Sequence, residues 1–172
     1  MALVPSPETG QAWGQTIASA PTLWFYVPYA QTDIYSMEFE LWDEDNNLIV
    51  QDRQVSIPAT PGITSYQVAA ATPLEVGKTY RWYLLLRFDP NNPSLDEYVS
   101  GRIERIAAAD LSGQLEAALP LEQAQLLAEA GVWYDTLTVL AAVQAEQPEI
   151  WSQFLQAVGL SAIAEEPLVS AY

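Results

Sequence analysis

The sequence predicts an α+β protein: a β-sandwich over residues 1–106, followed by a small helical bundle over residues 107–172. Three observations predict it. In the first part, short runs rich in aromatic and β-branched residues alternate with clusters of Pro, Gly, Asn and Asp, the pattern of strands separated by turns. In the second part the apolar period lengthens to that of a helix. Charge divides at the same place. Residues 1–106 hold 13 acids and all six bases, whereas residues 107–172 hold nine acids and no base.

The strands follow in order. Residues 22–27 (TLWFYV) lie between Pro21 and Pro28. Residues 35–42 (YSMEFELW) alternate, with Met37, Phe39 and Leu41 on one face and Glu38, Glu40 and Trp42 on the other. A polar turn, DEDNN at 43–47, leads to a strand at 48–57, which PATPG at 58–62 breaks. Residues 63–68 resume. Residues 79–88 (TYRWYLLLRF) are the strongest run, the DPNNPS loop spans 89–94, and 97–106 is the last strand. With one further strand near the start, the count is that of a sandwich. Leu74, Gly77 and Tyr80 form L-x-x-G-x-x-Y at the entry to residues 80–88. In fibronectin type III and immunoglobulin-like sandwiches, a tyrosine near the start of strand F bonds back to the backbone at the preceding corner. The glycine permits the tight turn and the leucine plugs the core. The expected fold is therefore a fibronectin type III/immunoglobulin-like β-sandwich. Residues 22–27 are its strand B, 35–42 C, 48–57 C′, 63–68 E, 80–88 F and 97–106 G.

Helical spacing begins at residue 108. Residues 108–119 place Leu111, Leu115, Ala118 and Leu119 on one side. Pro120 suits a first helical position, and Gly131 a helix end. A third helix, 133–147, turns Trp133, Leu137, Leu140, Ala141 and Val143 inward. Pro148 opens a fourth, with Ile150, Trp151, Phe154, Leu155 and Val158, closed by Gly159; a short turn follows at 161–165. The pair 120–147 resembles one tetratricopeptide-like hairpin through Ala124, Leu127, Gly131, Trp133, Leu140 and Val143, with Pro148 where the repeat ends. Thr136 departs from the pattern, and no second copy follows. A lone hairpin cannot bury its apolar face, so the bundle must pack on the sandwich, on another subunit or on a further segment, and the sandwich is the expected surface. Complementary charge points it to the outer face of strands F and G, which carry Arg81, Arg87, Arg102 and Arg105.

Composition excludes whole classes of chemistry. The 172 residues carry a formal net charge of −16, half are hydrophobic, and there is no Cys and no His. Zinc sites of the usual kind, haem ligation by His or Cys, iron–sulfur clusters, thiol chemistry and His-based triads have no residues to work with. Lys78 is the single lysine. Nucleic acid requires a basic footprint that is missing, and anionic membrane surfaces are disfavoured for the same reason. No stretch reaches the length of a membrane span. Residues 1–10 lack the basic and apolar regions of a signal peptide.

The chain as a whole resembles a cyanobacterial domain-of-unknown-function family, family 928. The resemblance rests on ALVPSPETG at 2–10, TLWFYVPY at 22–29, PATPGI at 58–63 and PLEVGKTYRWY at 73–83. In the helical half it rests on AEAGVWYDTLTVLA at 128–141 and VGLSAIAEEPL at 158–168. It implies an exported protein of the periplasm or cell envelope. It implies no activity and no functional residue.

Candidate sites come from the residues themselves. Loops 28–34 and 89–93 are expected to project from one end of the sandwich together with 58–62, offering Tyr29, Asn91 and Asn92 to a partner. Strand parity places Trp42, Tyr83 and Leu85 on the outer sheet face among Glu38, Glu40, Arg81 and Arg87. Cross-strand charge pairs account for part of that face, and its apolar members favour a partner. Leu74, Gly77 and Tyr80 are assigned a structural role at the corner. Asp43, Glu44 and Asp45, followed by Asn46 and Asn47, could offer oxygens to Ca²⁺. They lack the glycine and closing glutamate of an EF-hand loop. No cofactor, metal or catalytic residue is predicted. The expected function is a non-enzymatic protein-interaction or structural module with a protein partner. A carbohydrate- or Ca²⁺-dependent binding domain is the alternative. A carboxylate-based hydrolase stands behind it, because nothing singles out two of the 22 acids.

Overall fold

Period-two alternation builds two sheets in the computed structural model, which describes residues 1–4, 12–108 and 111–169. The strands are β1 (Ala12–Thr16), β2 (Thr22–Val27), β3 (Ser36–Trp42), β4 (Leu48–Val55), β5 (Gly62–Gln67), β6 (Thr79–Arg87) and β7 (Glu97–Arg105). One sheet runs β1-β7-β6-β3-β4, and β2 and β5 form the other. All pairings are antiparallel except β1 with β7, which is parallel. Met37, Phe39 and Leu41 of β3, with Trp82, Leu84 and Leu86 of β6, face Leu23, Phe25 and Val27 of β2 in one core. Trp82 meets Phe25 edge to face, with ring centroids 5.5 Å apart.

The corner at β6 shows the sequence logic at atomic level. Gly77 has φ +79, a conformation that disfavours a side chain. Leu74 is buried. The Tyr80 hydroxyl accepts a hydrogen bond of 3.0 Å from the Glu75 backbone N–H. Tyr80→Phe leaves that N–H without its partner and is expected to cost about 1–2 kcal/mol, read as a lower urea midpoint with an unchanged slope.

The two-stranded sheet is widened by both ends of the chain. Leu3 N–H donates to the Trp24 carbonyl at 2.9 Å, and Tyr26 N–H to the Met1 carbonyl at 2.7 Å. On the other edge, Ile63 N–H donates to the Pro167 carbonyl at 2.7 Å and Val169 N–H to the Ile63 carbonyl at 2.8 Å.

Four helices follow: α1 (Ser112–Ala117), α2 (Pro120–Glu129), α3 (Trp133–Val143) and α4 (Pro148–Ala157). The first is shorter than the expected 108–119, of which residues 109–110 lie outside the described residues. The Gln123 side chain donates to the Leu115 and Ala118 carbonyls at 2.8 and 3.1 Å, satisfying the end of α1. Leu119, expected inward, is 69% exposed in the turn between α1 and α2. The third helix stops at Val143 rather than at residue 147. Pro148 disfavours helical backbone at the residue before it, and Gln147 has φ −138 and ψ 64.

The helices dock on β2 and on the β1 edge, away from the outer arginine-bearing face that charge indicates. Leu3 and Ile63 join Ala124, Leu137, Leu140, Trp151 and Leu155 in a second core. Trp24 meets Trp151 edge to face at 6.1 Å, and its indole N–H donates to Thr138 Oγ1 at 3.3 Å. Three of the four arginines on β6 and β7 are engaged locally. Arg87 Nε lies 2.9 Å from Glu38 Oε1, Arg81 bonds Asn46 Oδ1, and Arg105 turns to the carbonyls of Leu74 and Ile17. Apolar burial on β2 outweighs long-range attraction through water, which screens exposed charges.

Asp135 ties α3 to the end of β1. Its Oδ2 accepts from Thr16 Oγ1 at 2.6 Å and from Ile17 N–H at 3.3 Å. Burial raises its carboxyl pKa, against the opposing effect of these bonds. A raised folded value means that the fold prefers the protonated acid. That contribution is complete below the ordinary carboxyl range and is lost as pH rises through the raised value. Asp135→Asn keeps an accepting oxygen without the charge. Thermal melts are expected to show the variant above the parent protein near neutral pH and level with it at about pH 3, below the ordinary carboxyl pKa.

Candidate functional site

Strand parity determines what the five-stranded sheet shows to solvent. Residues of β6 facing the core alternate with Arg81, Tyr83, Leu85 and Arg87 on the outside. The register sets Glu40 opposite Tyr83 and Trp42 opposite Arg81 on one flank. On the other flank, Tyr98 stands opposite Leu85 and Arg102 opposite Arg81. These outward side chains form an open cleft of about 460 Å³, lined by Glu40, Trp42, Asn46, Arg81, Tyr83 and Tyr98, with Leu85 in its floor.

The cleft is ordered by its own hydrogen bonds. The Trp42 indole N–H donates to Glu40 Oε2 at 3.0 Å. Glu40 Oε1 accepts from Gln51 Nε2 at 3.2 Å. Arg81 is held by Asn46, which has φ 64 in the turn between β3 and β4. The Tyr83 and Tyr98 rings lie 6.4 Å apart, tilted by 49°. Tyr98 is 67% exposed. Farther along the same face, Glu38 is buried beside Arg87. Trp13 on β1 is 43% exposed and is in register with Arg102.

Trp42 and Tyr83 thus share one cleft, while Tyr29, Asn91 and Asn92 lie toward the other end of the strands. Tyr29 is committed internally: its hydroxyl donates to Glu97 Oε1 at 3.0 Å, and its ring meets Phe88 edge to face at 4.9 Å. Asn91 and Asn92 are exposed in a turn closed by Asp89, whose Oδ1 accepts from Asn91 N–H at 2.8 Å. The 58–62 loop is pinned at its ends, where Pro58 is buried and Gly62 lies under Pro167 and Val169, while residues 59–61 are exposed. Tyr98, Asn46 and Trp13 escaped sequence analysis. Tyr98 was open to the parity that placed Arg102 outward. Asn46 reaches the cleft only through its turn, and Trp13 through a parallel pairing that leaves no local signal.

The acidic turn serves itself. Asp43 Oδ1 accepts from Asn47 N–H and Oδ2 from Asn47 Nδ2, both at 2.8 Å. The Asn47 bonds hold its carboxyl below the usual range. Among the described residues, no three acidic side chains are grouped so as to hold a metal ion. No helix among them is long and apolar enough to cross a membrane. A second cavity, about 290 Å³, lies at the seam of helices and sandwich beside Ile17, Pro21, Leu127 and Asp135. Its acid is already bonded to Thr16 and Ile17.

A family model described as Domain of Unknown Function (DUF928) matches residues 1–168. No curated protein and no solved structure matches the chain.

Proposed function

The chain belongs to the DUF928 family, a domain of unknown function, and from that premise we propose that it is a non-enzymatic interaction module that recognises its partner through the outer face of the five-stranded sheet. One observation carries this. The helices pack on β2 and on the β1 edge, with Ile63 of β5 in the same core, and leave the aromatic and hydrogen-bonding cleft at Trp42, Tyr83 and Tyr98 open. Single exposed apolar residues need no explanation, but grouped aromatics with ordered polar neighbours are a feature of recognition surfaces.

The scaffold in this proposal is a fibronectin type III/immunoglobulin-like sandwich. The strand order and the Tyr80 corner support it. The α2–α3 pair supplies its tetratricopeptide-like hairpin around Gly131, which has φ +75. Sandwich and bundle act as one unit, supported by the core that Leu3 and Ile63 share with the helices. An extracytoplasmic setting in a cyanobacterium rests on the family resemblance. A protein partner rests on analogy with other proteins built on these two scaffolds. A carbohydrate ligand is favoured by the planar polar groups that ring the cleft.

The test is a photo-reactive benzophenone side chain placed at Tyr98, and separately at exposed Leu119 as a control, in the full-length protein within extract of its source organism. A discrete adduct from position 98, absent from position 119 and lost with Trp42→Ala, is the expected result. Equal labelling at both positions, or none, contradicts the proposal.

A further inference from the structure

Building on that proposal, we infer that the cleft takes an uncharged glycan chain. Sugar rings present apolar C–H faces and a rim of hydroxyls. The first need flat aromatic surfaces, and the second need donors and acceptors together. Both are present within one cleft. Trp42, Tyr83 and Tyr98 supply rings, Glu40 an acceptor, Arg81 a donor and Asn46 an amide that is both. The volume of about 460 Å³ is in the range of ligand sites.

Charge narrows the ligand further. Arg81 and Arg102 on this face are balanced by Glu40 and Glu104, within a chain of net −16. An anionic polymer meets the repulsion of the whole molecule. A cationic one meets Arg81 beside Glu40, the single carboxylate of the cleft, whose oxygens each accept one bond and keep a lone pair for a neutral hydroxyl. An uncharged ligand meets neither obstacle. The Trp42 ring is held on a strand by its bond to Glu40 before any ligand arrives, which lowers the ordering cost of binding. The rings stand in an open cleft, Tyr98 two-thirds exposed, whereas anchors of protein–protein interfaces sit in closely packed pockets.

Affinity gel electrophoresis of the full-length protein tests this, with soluble β-glucan, xylan, mannan and starch as neutral probes and alginate and dextran sulfate as anionic ones. Retardation by at least one neutral polysaccharide and by neither anionic one is expected. Trp42→Ala and Tyr83→Ala should each weaken it about tenfold, the size of one lost stacking contact. Leu119→Ala should leave it unchanged, and all variants should keep the parent thermal midpoint within a few degrees. No retardation by any neutral probe, or retardation indifferent to Trp42→Ala, overturns the inference. If glycans fail while the Tyr98 photo-adduct is a protein and still requires Trp42, the cleft is a protein-binding surface and only the glycan assignment falls. If the photo-adduct is absent as well, the interaction module itself is wrong.

Discussion

Tyr134→Ala is expected to lower the unfolding free energy by about 3–5 kcal/mol, the usual cost of emptying a large aromatic site. Tyr134 is fully buried and joins three parts of the molecule. Its hydroxyl accepts from the Trp82 indole N–H at 3.0 Å and donates to the Arg102 carbonyl at 3.1 Å. Its ring lies over β1, where a Cβ on Gly14 would stand 3.0 Å from Tyr134 Cε2. Burial pushes the phenol pKa upward, so it remains a neutral donor and acceptor at ordinary pH. Tyr134→Phe separates the two contributions. It keeps the ring and leaves the buried Trp82 N–H unpaired, for about 1–3 kcal/mol. Urea unfolding of both variants measures the pair. A Tyr134→Ala cost below that of Tyr80→Phe would mean that α3 does not anchor the sandwich.

Gly101→Ala ranks second. The Gly101 Cα lies opposite Trp82 across β6–β7 and opposite Ala12 across β1–β7. A Cβ there would run into Trp82 Cζ2, and would stand 2.8 Å from the Ala12 carbonyl oxygen. Trp82 is fully buried and cannot swing away, and the Ala12 oxygen is backbone. Overpacking of this kind costs about 1–3 kcal/mol, occasionally more, and here it also displaces the indole that bonds Tyr134. The expected result is a lower urea midpoint with altered near-ultraviolet circular dichroism. Gly113→Ala, where a Cβ would meet nothing within 4 Å, should leave the near-ultraviolet signal unchanged and should not lower the midpoint, because alanine favours the helix.

The strands were legible because each carries its own signal. Alternation in β3 and β6 and the Pro and Asn clusters between runs mark the elements within a few residues, and Tyr80 marks the corner. The bundle's placement was not legible, because it depends on which surface is more apolar. The arginines of β6 and β7 invited the helices by sign. Arg87, Arg81 and Arg105 are engaged with Glu38, Asn46 and backbone carbonyls. Trp24, Leu3 and Ile63 won the contact by burial instead. Tyr134 and Thr136 were missed for a related reason. Helical periodicity picked one inward stripe for α3, yet this helix is packed on β1 and β2 as well as on α2 and α4. Both residues are fully buried. The Thr136 hydroxyl is satisfied within the helix by the Val132 carbonyl at 2.8 Å.

The candidate cleft was half legible. Parity gave Trp42, Tyr83, Leu85 and Arg81 their common face. Tyr98 required following the same parity one strand further, and Asn46 required the turn geometry. The loop-end residues Tyr29, Asn91 and Asn92 were chosen by analogy with other sandwiches. Of these, Tyr29 is occupied with Glu97 and Phe88.

The helices pack on β2 and on the β1 edge and leave the outer face of the five-stranded sheet open. Hydroxyl-radical footprinting of the intact protein, resolved by residue, tests it most directly. Trp13 and Tyr98 should oxidise rapidly and half-buried Trp42, Tyr83 and Trp24 more slowly, while Trp82, Trp151 and Tyr134 stay protected. Protection of Tyr83 and Tyr98 together with rapid oxidation of Trp24 and Trp151 would put the helices on that outer face and contradict the account.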